Sequence, residues 1–503
     1  MNKIYADIQS LVKNKKNYIA SKISDWPINE IKFKKFYTDV LSNYETLIKA
    51  QKKTTGELLL SDFKFLMNLI DYVHYFSVFL KSKENLIKVV NFKKVISKQR
   101  NKLFANIHDQ KKFQENHSIL KIKKMLKNYL YANNNKRKVL VFGSKTKNLE
   151  RFIKRKQERP IYNYQQLFFS KKNLNKKTKK IFIKNIDYFF LKVEKSAKNY
   201  FKVNIDLKDI KFDWIKKISK LNDDYLYVVN SPYIKSFSKI YFTDDVQVNH
   251  RLISSAAQSI GVDTYKFDHG NNSYFKENKL NKFFLSNYKY HVCENKNSFE
   301  LLKKIYKNNK DFLGSSNILF QNIPFKKKIK KNLNKNIKKI MLMGFPMTTN
   351  RYMGSEDLFW YNEFLLELEI LKSLKKKGYK ILYKIHPSVI GWEHIFKEYV
   401  DEIIYENFEK CWQKADLLIF SHIGSTTFAY SLSTNIPVIL FDNKKNANWN
   451  KGVYKYIEKR CSLINHKRNN LYSKFNKKNF VYEITKIKRV KNNLILDNLL
   501  KFK

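Results

Sequence analysis

The stretch "ADLLIFSHIGSTTFAYSLSTNIPVILFD" (residues 415–442) joins two continuous apolar runs through a short polar turn. A run such as "DLLIF" (416–420), without alternating polar residues, is typical of a parallel strand buried on both faces. "TFAYSLS" (427–433) has the length of a short helix, and "PVILFD" (437–442) indicates the next strand. Strand, helix and strand at this spacing predict a βαβ unit of a parallel α/β sheet.

The same alternation continues upstream of this unit and predicts a doubly wound α/β domain. Its further segments are "IMLMGFP" (340–346), a helix over 357–378, "YKILYKIHP" (379–387) and "EIIYEN" (402–407). A second set of short apolar runs predicts strands of another sheet: "VLVFGS" (139–144), "KIFIKNI" (180–186), "YLYVVN" (225–230), "KIYFTDD" (239–245) and "VDTYKFDHG" (262–270). Between the last two, "VQVNHRLISSAAQSIG" (246–261) predicts a helix that Gly261 ends.

Length and composition fit a chain of several domains. At 503 residues the protein exceeds the roughly 250 to 300 residues that one hydrophobic core organises. Residues 1–135 carry apolar residues at three- and four-residue spacing, which predicts helices. The sequence therefore predicts an N-terminal helical region (1–135), a first α/β domain (136–335), a second (336–460) and C-terminal helices (461–503) that cross back to the first domain.

The charge is strongly positive, with 100 Lys and Arg against 44 Asp and Glu, or a formal net charge of +56. Such a charge favours nucleic acid or an anionic membrane as partner. We attribute most of it to composition, because Lys, Asn, Ile, Phe and Tyr are abundant while Gly (11) and Pro (7) are scarce, as expected of an AT-rich genome. A surface this basic still attracts nucleotides, phosphates and anionic headgroups.

Cysteine usage and hydropathy favour a cytoplasmic protein. The three cysteines lie far apart without C-x-x-C spacing, which indicates neither a zinc site nor a disulfide framework. Asp7 interrupts the first apolar stretch, so the N-terminus does not read as a signal peptide. Charged residues also interrupt "LLLSDFKFLMNLIDYVHYFSVFL" (58–80), which we interpret as a buried helix, with an interfacial helix as the alternative.

The polar turn in the opening stretch is a candidate anion site. Gly424, Ser425, Thr426 and Thr427 would stand at the carboxyl edge of the sheet, where free N–H groups and hydroxyls can bind a phosphate. The alternative is that one hydroxyl simply caps the following helix.

Two other strand ends of the same domain carry candidate donor-binding residues. His386 precedes Pro387, which enforces an extended backbone at the histidine, and Lys384 stands two residues earlier. The loop after the first strand offers Gly344 for close backbone approach, with Thr348 and Arg351 to reach a diphosphate. Turn formation alone would also explain that loop.

The first domain offers a candidate acid–base pair. Asp268 and His269 end a strand on a turn that Gly270 permits, and the preceding strand ends in Asp244 and Asp245. A histidine with an ordinary pKa of about 6.5 can take a proton from an acceptor hydroxyl. Asp268 would act as base or orient a sugar, and Asp244 as a helix cap is the alternative for the second pair.

Residues 225–445 resemble the GT-B glycosyltransferases that build bacterial surface and capsular polysaccharides, including Kdo and sialic acid transferases and CDP-glycerol glycerophosphotransferases. The resemblance is carried by "KIHPS" (384–388), the opening stretch, and "GVDTYKFDHGNNSYF" (261–275). It implies two Rossmann-like domains facing a cleft, with His386, Ser425, Thr426 and Thr427 on the donor nucleotide and His269 at the acceptor. The chain departs from the family at Tyr430, where Glu is common, and at Asp268, where Gln is usual.

The resemblance implies a metal-independent glycosyltransferase that moves a sugar from a nucleotide-activated, perhaps CMP-linked, donor to a cell-surface polysaccharide or lipid-linked glycan. No cofactor is expected beyond the nucleotide-sugar substrate. One alternative is a CDP-polyol phosphotransferase of the same fold, and another is a non-catalytic nucleotide-sugar-binding homologue, which Tyr430 keeps open. Peripheral contact with the anionic inner membrane fits the charge, and no motif supports nucleic acid as a partner.

Overall fold

A computed structural model shows two parallel sheets and a layer of N-terminal helices. It describes residues 3–5, 28, 30–51, 53–85, 88–90, 92–94, 96–97, 100–101, 103–104, 138–143, 146–163, 179–243, 247–267, 281–293, 296–310, 317–320, 336–345, 360–386, 396–423, 426–442, 449, 451–469 and 472–487. The predicted α/β architecture with an N-terminal helical region is confirmed.

Within the described residues, the N-terminal region has three long helices, one small pair of strands and further helical residues at 92–94, 96–97, 100–101 and 103–104. Its elements are β1 (Lys3–Tyr5), α1 (Glu30–Lys49), α2 (Lys53–Ser61), α3 (Phe63–Glu84) and β2 (Lys88–Val90). The parallel pair of β1 with β2 departs from the all-helical prediction. The apolar stretch 58–80 lies in α2 and α3 and is largely buried, as the first of its two interpretations predicts. Within the described residues, no helix is both long enough and apolar enough to cross a bilayer.

The first sheet has six parallel strands in the order β4-β3-β5-β6-β7-β8. Its region comprises β3 (Lys138–Phe142), α4 (Lys147–Lys156), β4 (Arg159–Asn163), α5 (Lys179–Phe201), α6 (Lys208–Asn230), α7 (Pro232–Lys235), β5 (Lys239–Phe242), α8 (Val248–Ser259), β6 (Asp263–Phe267), α9 (Asn281–Leu285), β7 (Tyr290–Cys293), α10 (Lys296–Asn308) and β8 (Asn317–Phe320). Gly261 follows α8 with a φ of 84°, a left-handed conformation that favours glycine and supports its predicted role as the helix stop.

Two strands predicted for this sheet are helical instead. "KIFIKNI" (180–186) lies in α5 and "YLYVVN" (225–230) ends α6. Their β-branched and aromatic residues suggested strands, but exposed positions recur along α5 every three or four residues, the period of a helix with one buried face. Both helices pack against the N-terminal region, with Tyr44 of α1 meeting Phe189 of α5 edge-on at 5.5 Å.

The second sheet places seven strands in the order β11-β10-β9-β12-β13-β14-β15. Its region comprises β9 (Lys339–Met343), α11 (Trp360–Lys376), β10 (Lys380–Lys384), β11 (Glu402–Ile404), α12 (Phe408–Cys411), β12 (Leu417–Phe420), α13 (Thr426–Ser431), β13 (Val438–Asp442), α14 (Lys451–Arg460), β14 (Ser462–Asn469), β15 (Tyr472–Phe475) and α15 (Lys477–Lys486). The first six strands are parallel and follow the Rossmann order, so strand order reverses between β9 and β12.

In the segment predicted to form C-terminal helices (461–503), Ser462–Asn469 and Tyr472–Phe475 form strands instead, Lys477–Lys486 is a helix, and residues 488–503 lie outside the described part of the chain. β14 extends the second sheet in parallel to β13, and β15 closes it as an antiparallel edge strand. α15, the helix that follows, packs on α11 and β14. The stretch "SLINH" (462–466) has only two adjacent apolar residues, Leu463 and Ile464, which is too short a run to predict a strand from the sequence.

A buried ion pair joins the N-terminal helices to α6. The Asp62 carboxylate, between α2 and α3, accepts hydrogen bonds from Lys217 Nζ at 2.6 Å and Trp214 Nε1 at 3.0 Å. Lys217 Nζ also donates to the Leu103 carbonyl at 3.2 Å, and Phe65 stacks on the indole at 4.4 Å. Because Asp62 is 0% exposed, the carboxylate depends on these donors for its charge.

We expect Lys217→Met to lower the free energy of unfolding by about 3 to 5 kcal/mol, because it leaves a buried carboxylate without its cation. Asp62→Asn in the same background should restore part of the loss. Urea denaturation followed by circular dichroism measures both. Lys211→Met removes the half-exposed ion pair with Asp187 and serves as the control. Equal losses in Lys217→Met and Lys211→Met would contradict a structural role for the buried pair.

Candidate functional site

The candidate site lies at the carboxyl edge of the second sheet, where β10, β9 and β12 end side by side. Gly344 N–H, just after β9, donates to the Lys384 carbonyl at the end of β10 at 2.9 Å. Ligands of open α/β sheets bind at this edge, in the crevice where strand order reverses. The crevice between β9 and β12 is therefore the position at which the fold itself favours a ligand.

One buried carboxyl group binds all three strand ends. Glu367, on α11, accepts hydrogen bonds at Oε1 from Phe345 N–H (2.7 Å) and Ser421 Oγ (3.0 Å), and at Oε2 from the Tyr383 hydroxyl (2.9 Å). Ser421 Oγ also lies 3.2 Å from His422 Nδ1. Which of these two groups donates depends on the tautomer of the His422 ring. We call these five residues the Glu367 cluster.

The carboxyl of Glu367 is held in an environment that favours its neutral form. It is 0% exposed, and burial raises its pKa from 4.5 to about 8, against the three hydrogen bonds, which lower it. Glu363, one turn earlier and also 0% exposed, raises the pKa further through repulsion between the two carboxylates. At neutral pH burial therefore favours the neutral carboxyl, whose own O–H is donated to the hydroxyl oxygen of Tyr383 or Ser421, while Phe345 N–H still donates to Oε1.

Gly344 has a structural function within this cluster. A Cβ at this position would stand 2.5 Å from the Tyr383 hydroxyl and 2.7 Å from the ring carbon that bears it. Only glycine lets the phenol pass close to the backbone and reach Glu367. The space predicted to admit a diphosphate at Gly344 is, on this side, filled by Tyr383.

His386 and Lys384 stand at the end of β10 in different surroundings. His386 is half-buried and follows the strand directly. The Lys384 ammonium donates to the Ile385 carbonyl at 2.7 Å, and burial lowers the pKa of this amine. At 8% exposure Lys384 is less accessible than the sequence analysis predicts, whereas His386 keeps part of its surface open.

The short helix after the polar turn is anchored at its far end. α13 begins at Thr426, and Thr427 in its first turn is half-buried. Arg460, the last residue of α14, donates from Nη2 to the carbonyls of Thr434 and Ile436, both at 2.8 Å, and of Ser431 at 3.3 Å. A buried cation beside the final carbonyls offsets the negative end of α13. The position of α13 is thus set by a residue far from the turn.

The position where the resembling family has Glu is occupied here by a packed aromatic side chain. Tyr430 is half-buried and meets the Phe408 ring edge-on at 5.5 Å, within the apolar cluster between α12 and α13. A carboxylate acceptor for a nucleotide or sugar is therefore missing at Tyr430. The nearest strand end offers another carboxylate, because Asp442 ends β13 and accepts a hydrogen bond from Trp449 Nε1 at 2.8 Å.

Several predicted site residues lie outside the described part of the chain. They are Asp245, Asp268, His269, Thr348, Arg351, Gly424 and Ser425, together with the side chain of Thr426. The strands that precede the acid–base candidates, β5 and β6, are neighbours in parallel register, so they end at the same edge of the first sheet. In the described residues, no group of three His, Cys, Asp or Glu side chains could hold a metal ion.

Glu367 and His422 are candidate site residues that the sequence analysis missed. Glu363 and Glu367 are four residues apart, on the face of α11 that also carries Ile370, Leu371 and Leu374. Acidic residues at apolar positions of an amphipathic helix were the available signal for a buried polar site. His422 stands two residues before Gly424, the first residue of the polar turn, and was given no role in the sequence analysis.

Comparisons with known proteins give structural similarity alone. Neither the models of known protein families nor the curated proteins match the sequence. UGT89C1 of Arabidopsis thaliana is 11% identical over 72% of this chain and 85% of its own, with a TM-score of 0.36. MurG of Acinetobacter baumannii is 9% identical over 72% and 93%, with a TM-score of 0.36. LpCGTa in complex with UDP is 8% identical over 65% and 83%, with a TM-score of 0.32. At these values the function must be argued from the residues of the chain itself.

We expect the stability of the second sheet to fall as pH rises from about 4.5 to about 8. Over this range Glu367 keeps its proton in the folded protein and releases it in the unfolded chain. Its contribution to the free energy of unfolding is therefore complete below pH 4.5, the pKa of the unfolded chain, and is lost as the pH rises to about 8, the pKa in the folded protein. The decrease can reach about 5 kcal/mol. Urea midpoints measured across this pH range should therefore fall less in Glu367→Gln than in the parent.

The matched control is Glu369→Gln, two residues along the same helix at the surface, where Glu369 pairs with Lys477. Glu369→Gln should keep the pH dependence of the parent protein. A parent and a Glu367→Gln variant with the same pH dependence would show that Glu367 is ionised in the folded state.

We expect Gly344→Ala to destabilise the protein by about 1 to 3 kcal/mol, because the added methyl group displaces the Tyr383 phenol. The cost should shrink when the change is made in a Tyr383→Leu background, which removes the clash. A double-mutant cycle of unfolding free energies measures this coupling. If the losses in free energy of unfolding from Gly344→Ala and Tyr383→Leu are additive, the glycine is needed for a reason other than the contact with the phenol.

Proposed function

We propose that the protein is a glycosyltransferase that transfers a sugar from a nucleotide-activated donor to a cell-surface polysaccharide or a lipid-linked glycan. The observation that carries the proposal is the Glu367 cluster at the point where strand order reverses in the second sheet. The cluster fixes the backbone at the start of the β9 loop and at the end of β12, the two segments that border the crevice. A site whose backbone is held in this way is suited to binding a nucleotide.

The donor nucleotide would occupy this crevice. In this proposal His386, which follows β10, and the hydroxyls of Ser425, Thr426 and Thr427, which follow β12 in the sequence, would bind the phosphates of the donor. α13 spans only six residues, so in this proposal the histidine, the hydroxyls and nearby basic side chains carry the phosphate charge rather than a helix dipole. Thr348 and Arg351, in the loop after β9, would reach the diphosphate. These groups would stabilise the leaving phosphate without a bound metal.

The acceptor would be activated from the first sheet. His269 follows β6 by two residues, and Asp245 follows the neighbouring strand β5 by three. In the proposed reaction His269 removes the proton of the acceptor hydroxyl as the glycosidic bond to the donor forms, while Asp268 or Asp245 orients the acceptor. The leaving nucleotide departs with the electron pair of the broken sugar–phosphate bond.

A non-catalytic nucleotide-sugar-binding protein is the second candidate, and the packing of Tyr430 is the observation that favours it. A CDP-polyol phosphotransferase of the same fold would use the same crevice with phosphoryl instead of glycosyl transfer. The nucleotide preference and the turnover of the purified protein separate these functions.

A thermal-shift panel with CMP, CDP, UDP, GDP and their sugar conjugates at fixed salt tests the donor site. A nucleotide present at about 100 times its dissociation constant should stabilise the protein by about 2.7 kcal/mol. His386→Ala and Thr427→Ala should remove the shift, because both delete groups that the proposal assigns to the donor phosphates. Thr485→Ala, on the exposed surface of α15, should leave the shift unchanged.

A second measurement separates binding from catalysis. With the preferred donor identified, His269→Ala should abolish sugar transfer to an oligosaccharide acceptor while the nucleotide-induced shift remains. Shifts that persist in His386→Ala would place the donor elsewhere. If no nucleotide shifts the parent protein, the transferase proposal is wrong.

A further inference from the structure

Helices α5 and α6 expose four large apolar side chains; Tyr227, 38% exposed, is near the end of α6, and the other three lie in the middle of α5 and at the start of α6. Tyr188 is 56% exposed and Leu191 45% exposed on α5, and Phe212 is 58% exposed in the first turns of α6. We call these three residues the α5–α6 apolar patch. Single exposed apolar residues are common on protein surfaces, but three on one pair of helices need an explanation.

Two contacts place the start of α6 beside the middle of α5. Lys211 Nζ is 2.7 Å from Asp187 Oδ1, and the Leu207 N–H donates to Glu194 Oε1 at 2.9 Å. Asp187 directly precedes Tyr188, and Lys211 directly precedes Phe212. The exposed side chains of the two helices therefore belong to one region of the surface.

Lysines surround the patch. The exposed stripe of α5 continues from Lys184 through the two apolar residues to Lys195, at the three- and four-residue spacing of one helix face. Lys192 Nζ lies 5.1 Å from the centre of the Tyr188 ring, and Lys216 Nζ lies 4.1 Å from the centre of the Phe212 ring. An ammonium group therefore lies beside each aromatic ring, so the ring and the charge can contact an anionic surface together.

The nearby carboxylates do not cancel this charge. Asp187 is paired with Lys211, and Asp213 lies 3.9 Å from Arg100. Glu194 accepts the Leu207 N–H, and Asp206 and Asp209 around the start of α6 are exposed, against the lysines at 184, 192, 195, 208 and 216. The balance around the patch remains basic, in keeping with the net charge of +56 for the whole chain.

We infer that the α5–α6 apolar patch docks the protein on an anionic lipid bilayer. The three side chains would enter the region between headgroups and acyl chains, where aromatic residues are favoured, and the lysines would contact the anionic headgroups. Charge complementarity selects this partner. A second copy of a chain with a charge of +56 is repelled, whereas an anionic bilayer attracts it. This inference goes beyond the proposed reaction and does not require it.

Vesicle co-sedimentation with the full-length protein tests the inference. Vesicles of phosphatidylcholine mixed with phosphatidylglycerol should retain the protein, and vesicles of phosphatidylcholine alone should retain much less. The triple variant Tyr188→Ser/Leu191→Ser/Phe212→Ser should lower the partition coefficient on the mixed vesicles by roughly tenfold or more, since it removes the inserted apolar surface.

The matched control is Tyr482→Ser on α15. Tyr482 is 57% exposed and has Lys486 Nζ 5.5 Å from its ring centre, so it resembles Tyr188 in both respects but lies on the second sheet domain. The control should bind vesicles as the parent does. Thermal unfolding of all variants verifies that they fold.

Three results would overturn the inference. Equal partition of the triple variant and the parent would assign membrane binding to the overall charge. A parent that fails to bind mixed vesicles at physiological salt would exclude a membrane partner. A parent that self-associates in light scattering, while the triple variant is monomeric, would assign the patch to a protein interface.

Discussion

The second sheet depends on a single carboxyl group shared by three strand ends. Backbone and side-chain donors from the ends of β9, β10 and β12 converge on Glu367, which reaches them from α11. A buried polar group of this kind stabilises the fold only when its partners are all in place, because each unpaired atom would cost more than a hydrogen bond contributes. Glycine at position 344 and tyrosine at position 383 are needed for the same reason, because only this combination lets the hydroxyl reach Glu367. The shape of the candidate crevice follows from these contacts of Glu367 with the strand ends.

Sequence patterns predicted strands β9 to β13 of the second sheet, where the chain alternates quickly between buried strand and helix. "DLLIF", "PVILFD" and "YKILYKIHP" all occupy parallel strands, because continuous apolar runs of that length have few other stable arrangements. Such patterns predicted neither the strand order nor the Glu367 cluster. A contact between a helix and three strand ends depends on tertiary packing, which a single sequence does not encode at any fixed spacing.

The errors at α5, α6 and β14 share a physical origin. Short β-branched and aromatic runs satisfy strand propensity and the apolar face of a helix equally well, and only burial against neighbouring elements decides between them. For α5 and α6 the deciding neighbours are α1, α2 and α8, which lie elsewhere in the sequence. For the predicted site, His386 and Thr427 occupy strand and helix ends as expected, while Lys384 is turned toward its own backbone.

The buried pair of Asp62 with Lys217 has a consequence for synthesis of the chain. The two residues are 155 positions apart, and the apolar faces of α1 to α3 pack on α5 and α6. On the ribosome these early helices emerge well before the helices that cover them, so their apolar surface stays exposed to water while the intervening chain is made. Contacts of such long sequence separation form slowly and leave intermediates that aggregate. We therefore expect a chaperone to bind the N-terminal region during translation.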